Sequence, residues 1–201
     1  MIMREDRIEL QEICELNMGQ SPNSSSYNED KEGLPFFQGN ADFGELYPKV
    51  RKWCTEPKKV VEGDSLLISV RAPIGALNFS TEKCCIGRGL AGITIKENVN
   101  LKFVYYNLKY RTEELQNKGT GSTFKAINKG TLAETKIKNL SYQEQIKCVE
   151  ILDRINAIVN YKKEELELFD NLIKSRFIGL SRPTAYTQLY HIPLSKVNER
   201  F

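Results

Sequence analysis

Histidine is almost missing from this chain: of 201 residues only His191 carries an imidazole. A His-centred acid/base pair or a zinc site therefore has little to be built from. The five cysteines (Cys14, Cys54, Cys84, Cys85 and Cys148) form no C-x-x-C pair and no disulfide-framework spacing, so they read as reduced thiols of a cytoplasmic protein. No apolar run approaches the ~20 residues that cross a bilayer. The start, Met1-Ile2-Met3-Arg4-Glu5-Asp6, lacks the basic end and apolar core of a signal peptide. A cytoplasmic location with no membrane partner is expected.

Catalytic signatures are scarce as well. Gly87-Arg88-Gly89-Leu90-Ala91-Gly92 matches G-x-G-x-x-G, but a dinucleotide or S-adenosylmethionine cradle needs a helix next, and Ile93-Thr94-Ile95 is strand chemistry. The glycines read instead as a turn that presents Arg88 to solvent. Gly119-Thr120-Gly121 lacks the G-K-[ST] ending of a P-loop. Asp64 with Glu82-Lys83 fails the D…E-x-K nuclease spacing, because Lys83 follows Glu82 directly. No Asp/Asn-Pro-Pro-aromatic tetrapeptide of the amino-methyltransferases occurs. The chain is expected to catalyse nothing and to hold no metal or cofactor of its own.

What is present is a long uninterrupted helix. No Gly or Pro occurs between Gln143 and Arg176. Within that span Cys148, Leu152, Ile155, Val159, Lys162, Leu166, Phe169 and Ile173 follow alternating steps of four and three, the a/d seam of a coiled coil. Ser141 and Glu144 form an S-x-x-E capping box at its start. At 1.5 Å per residue the helix would run roughly 50 Å. Burying Leu152, Ile155, Val159, Leu166, Phe169 and Ile173 is worth about 1.5–3 kcal/mol each, so the seam calls for a partner. A long core helix packed on its own domain is the alternative. Lys162 on the seam favours the coiled coil, where a polar a/d residue sets register.

Ahead of the helix the chain reads as loop-rich α+β. Ile8 to Leu16 is a short apolar-periodic segment, and Asn17 to Gly33 is a polar loop. Val60-Val61, Ser65 to Val70, Gly92 to Lys96 and Lys136 to Leu140 read as strands, with Cys84 and Cys85 on alternate faces of another. Leu101, Val104, Tyr105, Leu108 and Leu115 share one face of a helix over 100–117, ended by Gly119. The division expected is a recognition domain over 1–140, a coiled-coil helix over 141–177, and a tail of unassigned fold over 178–201.

Hydrophobic content of 40% and charged content of 27% are those of an ordinary soluble protein, and a net charge of +3 is weak evidence for any partner. Its distribution says more. Lys49, Arg51, Lys52, Lys58 and Lys59 surround Trp53 against the single acid Glu56. A second basic region runs from Lys102 to Lys138. Basic stretches mixed with aromatic residues fit phosphate-backbone binding, and on charge alone they fit a solvated surface equally well.

Several motifs, in consistent order over about residues 7–177, resemble the specificity subunits of type I restriction-modification systems. They are Gly63-Asp64-Ser65-Leu66-Leu67-Ile68-Ser69-Val70-Arg71-Ala72-Pro73-Ile74-Gly75, then Cys84-Cys85-Ile86-Gly87-Arg88-Gly89-Leu90-Ala91, then Gly121-Ser122-Thr123-Phe124-Lys125-Ala126-Ile127. Gln143-Glu144-Gln145-Ile146, leading to Leu172-Ile173-Lys174-Ser175-Arg176-Phe177, completes the series, and Met18-Gly19-Gln20-Ser21-Pro22 with Leu34-Pro35-Phe36-Phe37-Gln38-Gly39 extends it forward. The usual member carries two recognition domains and two spacer helices; this chain has one of each.

The resemblance implies a mixed α/β target-recognition domain followed by one long coiled-coil spacer helix. It implies a non-catalytic subunit that binds double-stranded DNA, reads one half of a bipartite site and docks methyltransferase (modification) subunits, with a restriction (nuclease) subunit where the system has one. S-adenosylmethionine would then sit on the methyltransferase partner. Ser122, Thr123 and Lys125 are the expected phosphate contacts; Arg51, Lys52, Arg71 and Arg88 are candidates for phosphate or guanine, and Gln20, Gln38 and Asn40 for adenine edges. A homodimer through Leu152, Ile155, Val159, Leu166, Phe169 and Ile173 would restore the two-domain layout. The competing reading is a coiled-coil adaptor or decoy that keeps this fold without reading DNA.

Overall fold

The computed structural model describes residues 6–121 and 125–181, with side chains assigned through Arg176. In chain order the elements begin with β1 (Arg7–Glu9), α1 (Leu10–Ile13), β2 (Cys14–Met18), β3 (Tyr27–Asn28), β4 (Leu34–Phe37), β5 (Trp53–Cys54) and β6 (Val60–Val61). There follow β7 (Ser65–Ser69), β8 (Leu77–Ser80), β9 (Cys84–Ile86) and β10 (Leu90–Ile95). The last are α2 (Leu101–Tyr110), α3 (Thr112–Asn117), α4 (Lys129–Ala133), β11 (Lys136–Lys138) and α5 (Tyr142–Ser181). Two compact units are formed, one ending at Leu152 and one beginning at Asp153; α5 starts in the first and continues through the second.

Two sheets organise the first unit. An antiparallel sheet has the order β2-β10-β7-β8, with Ile93 opposite Leu16 on one side and Leu66 on the other. A second sheet runs β3-β5-β4-β9-β6, in which only β4 and β9 are parallel. β1 and β11 form a separate antiparallel pair.

Period-two alternation distributes the apolar residues over three layers. Leu66 and Ile68 of β7 join Ala91 and Ile93 of β10 against Phe103, Val104, Leu108 and Leu115 of the helices. Leu67 and Leu90 face the other way and pack on Phe37, Val61, Cys84 and Ile86. Beyond the second sheet, Cys85 meets Phe36 and Cys54. β7 is buried along its whole length, which is why Ser65-Leu66-Leu67-Ile68-Ser69 reads as one apolar run rather than an alternating strand.

The expected strands at 60–61, 65–70, 92–96 and 136–140 appear as β6, β7, β10 and β11, and Cys84 and Cys85 do face opposite layers. Two expectations are corrected. The helix over 100–117 is divided at Arg111, whose backbone leaves the helical region (φ −96°, ψ 11°). The Thr112 hydroxyl donates to the carbonyl of Lys109 at 3.0 Å, an alternative to the helical ladder that favours the break. The polar loop from Asn17 to Gly33 also carries structure: β2 extends to Met18, Ser24–Ser26 forms a 3-10 turn, and β3 follows it. β4, β5 and β8 gave no periodic signal, because strands of two to four residues are too short to show one.

α5 begins where the capping box places it. The Glu144 carboxylate accepts the Ser141 backbone N–H at 2.9 Å and its hydroxyl at 2.6 Å, and these bonds hold Glu144 below the usual carboxylate range. One turn on, the buried Gln145 amide accepts from the N–H of Asn100 at 2.9 Å and donates to the carbonyl of Leu140 at 2.9 Å. Val149 is buried and Leu152 half-buried, whereas Ile155, Val159, Leu166, Phe169 and Ile173 are all exposed.

Candidate nucleic-acid interface

Three loops from distant parts of the first unit meet at one end of its sheets. The first follows β4 and carries Gln38 and Asn40; the second follows β7 and carries Arg71; the third joins β9 to β10 and carries Arg88. Two glycines permit close approach at this end, Gly19 just after β2 and Gly89 in the β9–β10 loop. A Cβ on Gly19 would lie 2.1 Å from the carbonyl oxygen of Gly87, and one on Gly89 would lie 2.5 Å from that of Gln38. Backbone hydrogen bonds then lock the loops together. Gly89 N–H donates to Gln38 at 3.2 Å, Val70 N–H to Gly89 at 2.9 Å, and Gln20 N–H to Ile86 at 3.1 Å.

The result is an open groove of about 260 Å³ whose lining includes the guanidinium side chains of Arg71 and Arg88 and the amides of Gln38 and Asn40. Among the described residues no carboxylate lines it. Arg71, Arg88 and Gln38 are exposed, and Asn40 is half-buried. The Asp42 carboxylate is turned to structural use instead: it accepts the backbone N–H groups of Gln38 at 2.7 Å and Gly39 at 3.3 Å. Ser69, buried at the groove's edge, donates its hydroxyl to the carbonyl of Arg71 at 2.7 Å. Two exposed guanidiniums beside two amides can offer paired donors and acceptors to a planar, polar, anionic ligand.

The other candidate residues distribute unevenly. Gln20 is exposed next to the Arg88 turn, since the backbone N–H of Arg88 reaches the hydroxyl of neighbouring Ser21 at 3.4 Å. Lys125 is exposed beside Arg71: its carbonyl accepts the N–H of Ala72 at 3.0 Å, and Ala126 bridges Arg71. Arg51 and Lys52 are exposed on the run into β5 and do not line the groove. Ser122 and Thr123 lie outside the described residues. Asp42 and Ser69 are groove-shaping residues that sequence reading missed. Asp42 had one signal, the turn-forming run Gly39-Asn40-Ala41-Asp42; Ser69 had none, being a small polar residue inside an apolar strand.

Burial raises the thiols of Cys14 and Cys85 to about 12 and that of Cys84 in the same direction, so they pack as small apolar groups. Among the described residues no cluster of three or more His, Cys, Asp or Glu side chains could hold a metal ion, and no helix is long and apolar enough to cross a membrane.

A mixed α/β domain that offers an open cationic groove, followed by a heptad helix, is the plan of a surface reader. Comparison with known proteins specifies the class. Residues 6–168 match the type I restriction modification DNA specificity domain, and the chain belongs to that family. It accordingly carries a DNA specificity domain of the type I restriction-modification kind. Over 158 residues it is 44% identical to a Methanocaldococcus jannaschii protein named as the MjaX type I restriction enzyme specificity subunit, covering 78% of this chain and 37% of that one. The HsdS subunit of Thermoanaerobacter tengcongensis has the same fold, with a TM-score of 0.75 at 40% identity over 82% of this chain and 41% of that one. A chain from a structural study of type I R-M complex assembly and conformational transition superposes with a TM-score of 0.79 at 41% identity, covering 84% of this chain and 42% of its own length. The chain thus spans less than half the length of these relatives.

Proposed function

We propose that this chain reads one half of a bipartite duplex site through the Arg71/Arg88 groove and docks methyltransferase subunits along α5. The groove's composition carries the first part. Arg71 and Arg88 have the donor geometry for guanine O6/N7, and Gln38 and Asn40 that for adenine N6/N7, while Gln20 flanks them. Lys125, exposed beside Arg71, and Arg51 and Lys52 outside the groove act as phosphate contacts, with Ser122 and Thr123 in the same role. In this reading S-adenosylmethionine is bound by the methyltransferase partner, and a restriction subunit joins where the system includes one.

Exposure along α5 supports the docking role. Besides the seam, a second, interrupted stripe of exposed apolar residues, Ile151, Ile158, Tyr161, Leu168 and Leu172, keeps a heptad register, with Arg154 and Glu165 at its intervening positions. A helix with two apolar stripes is suited to two neighbours. One would be a second copy of α5, paired antiparallel about a two-fold axis, and the other a helix of the methyltransferase. A two-fold interface is self-complementary, so two identical chains would read inverted half-sites at a fixed spacing.

The direct test is selection of bound duplexes from a random library, followed by affinity measurements over a salt series. One recovered motif and a steep salt dependence are expected. Lys125→Ala should weaken binding to all sequences and lower the salt slope by about 1. Salt-insensitive binding without sequence preference would return the chain to the adaptor reading.

A further inference from the structure

We infer that Lys58 and Lys59 hold the backbone of one strand of a DNA duplex while Arg51 and Lys52 hold that of the other, with Gln38 and Arg88 between them in the major groove. The inference rests on the DNA reading proposed above and adds to it two contact residues and a strand for each cation pair. Sheet order and register carry it. In the second sheet β5, β4, β9 and β6 are successive neighbours. β4 and β9 are parallel and Phe37 lies opposite Ile86, so Gln38 and Arg88 emerge at the same end of the sheet. The Gly87 N–H donates to the carbonyl of Phe37 at 2.8 Å and carries that alignment one residue further. β5 and β6 run antiparallel to these two strands, so their opening residues come to the same end. The Phe36 N–H donates to the carbonyl of Lys52 at 2.9 Å, just before β5. The Ile86 N–H donates to that of Lys59 at 3.0 Å, just before β6.

A pair of cations therefore stands on each side of the two central strands, Arg51 and Lys52 beside β4, Lys58 and Lys59 beside β9. All four are exposed, and Glu56 is the single acid among residues 51–59. The opposite end of β6 and β9 differs in charge. There Lys83 is paired with Glu62 at 2.8 Å, and Glu82 precedes it in the chain. Neighbouring strands lie about 4.8 Å apart, so the three steps from β5 to β6 set the two cation pairs about 14 Å apart. The major groove of B-DNA is about 12 Å wide and the minor groove about 6 Å. Cation pairs at that separation match phosphates on the two lips of a major groove and overshoot those of a minor groove. Gln38 and Arg88, exposed between the pairs, then stand where base edges are read.

Charge removal from one DNA strand at a time tests this with the full chain and the duplex it selects. The four cations are exposed, so their replacement leaves the core intact. The double variant Lys58→Ala/Lys59→Ala should lower the salt slope by about 2, as the loss of two phosphate contacts does. Its preference for the selected over a random duplex should stay within about twofold of the parent's. Uncharged methylphosphonate linkages are then placed in either strand of the selected duplex. With one strand neutralised the lysine variant should bind within about twofold of the parent, and with the other it should keep its full loss. Arg51→Ala/Lys52→Ala should show the reverse strand dependence. If neutralising the same strand cancels both losses, the assignment to two lips is overturned. An unchanged salt slope in the lysine variant, or a changed base preference, overturns it as well. A parent chain with neither a preferred motif nor salt dependence overturns the DNA reading and this assignment together.

Discussion

Arg88 stands between Gly87 and Gly89 in a turn closed by the Leu90 N–H to the Gly87 carbonyl at 3.0 Å, and it presents its guanidinium to solvent. That arrangement was legible from residue types alone, because glycines before a β-branched run mark a turn. The neighbours of Arg88 were not legible: Gln38 and Arg71 are far from it in sequence, and only backbone pairing brings them to the same groove. If Gln38 contacts a base edge, Gln38→Ala should relax selectivity at one base position and cost about 1–3 kcal/mol against the preferred duplex. Uniform weakening over all duplexes would make it a positioning residue instead. The thiols offer a second residue-scale prediction. Cys14, Cys54, Cys84 and Cys85 are buried and Cys148 is half-exposed. Iodoacetamide should therefore label Cys148 first in the native chain, and the other four only after denaturation. Rapid native labelling of Cys84 or Cys85 would contradict the packing described here.

At the scale of elements, helices and strands differed in how openly the sequence announced them. α5 follows from a capping box, a Gly- and Pro-free span and a heptad seam, all of them relations between residues within four positions. The division of 100–117 into α2 and α3 follows from a side-chain hydrogen bond at Thr112 that no periodicity reveals. Three carboxylates are held below the usual range: Glu9 by Lys136, Glu114 by Lys118, and Glu144 by Ser141. A depressed carboxylate stabilises the fold above its unfolded value of about 4.3 and loses that contribution as pH falls through the folded value. The urea midpoint should thus stay level from pH 7 to about 5 and decline below about 4.5. A midpoint that rises on acidification would reverse the sign and refute these pairings. On α5 itself, Leu166→Glu places a charge on the seam and should shift the proposed dimer towards monomer while leaving far-ultraviolet helicity of the first unit unchanged.

For the whole molecule, the proposed two-fold assembly implies light scattering at about twice the 23.0 kDa chain mass. It also implies a selected DNA motif made of inverted repeats with an invariant gap. Inserting seven residues, one heptad, into α5 would preserve the seam and lengthen that gap, because helix length sets the separation of the reading domains. An unaltered gap would separate half-site spacing from the helix. The heptad helix, the reduced cysteines and the scarcity of catalytic motifs were determined by the sequence itself, since each depends on local spacing or on residue types that are present or missing. The Arg71/Arg88 groove was decided by tertiary structure. Its four polar side chains, Gln38, Asn40, Arg71 and Arg88, come from three loops well separated in sequence, held by glycine contacts and cross-strand hydrogen bonds that exist only once both sheets have formed.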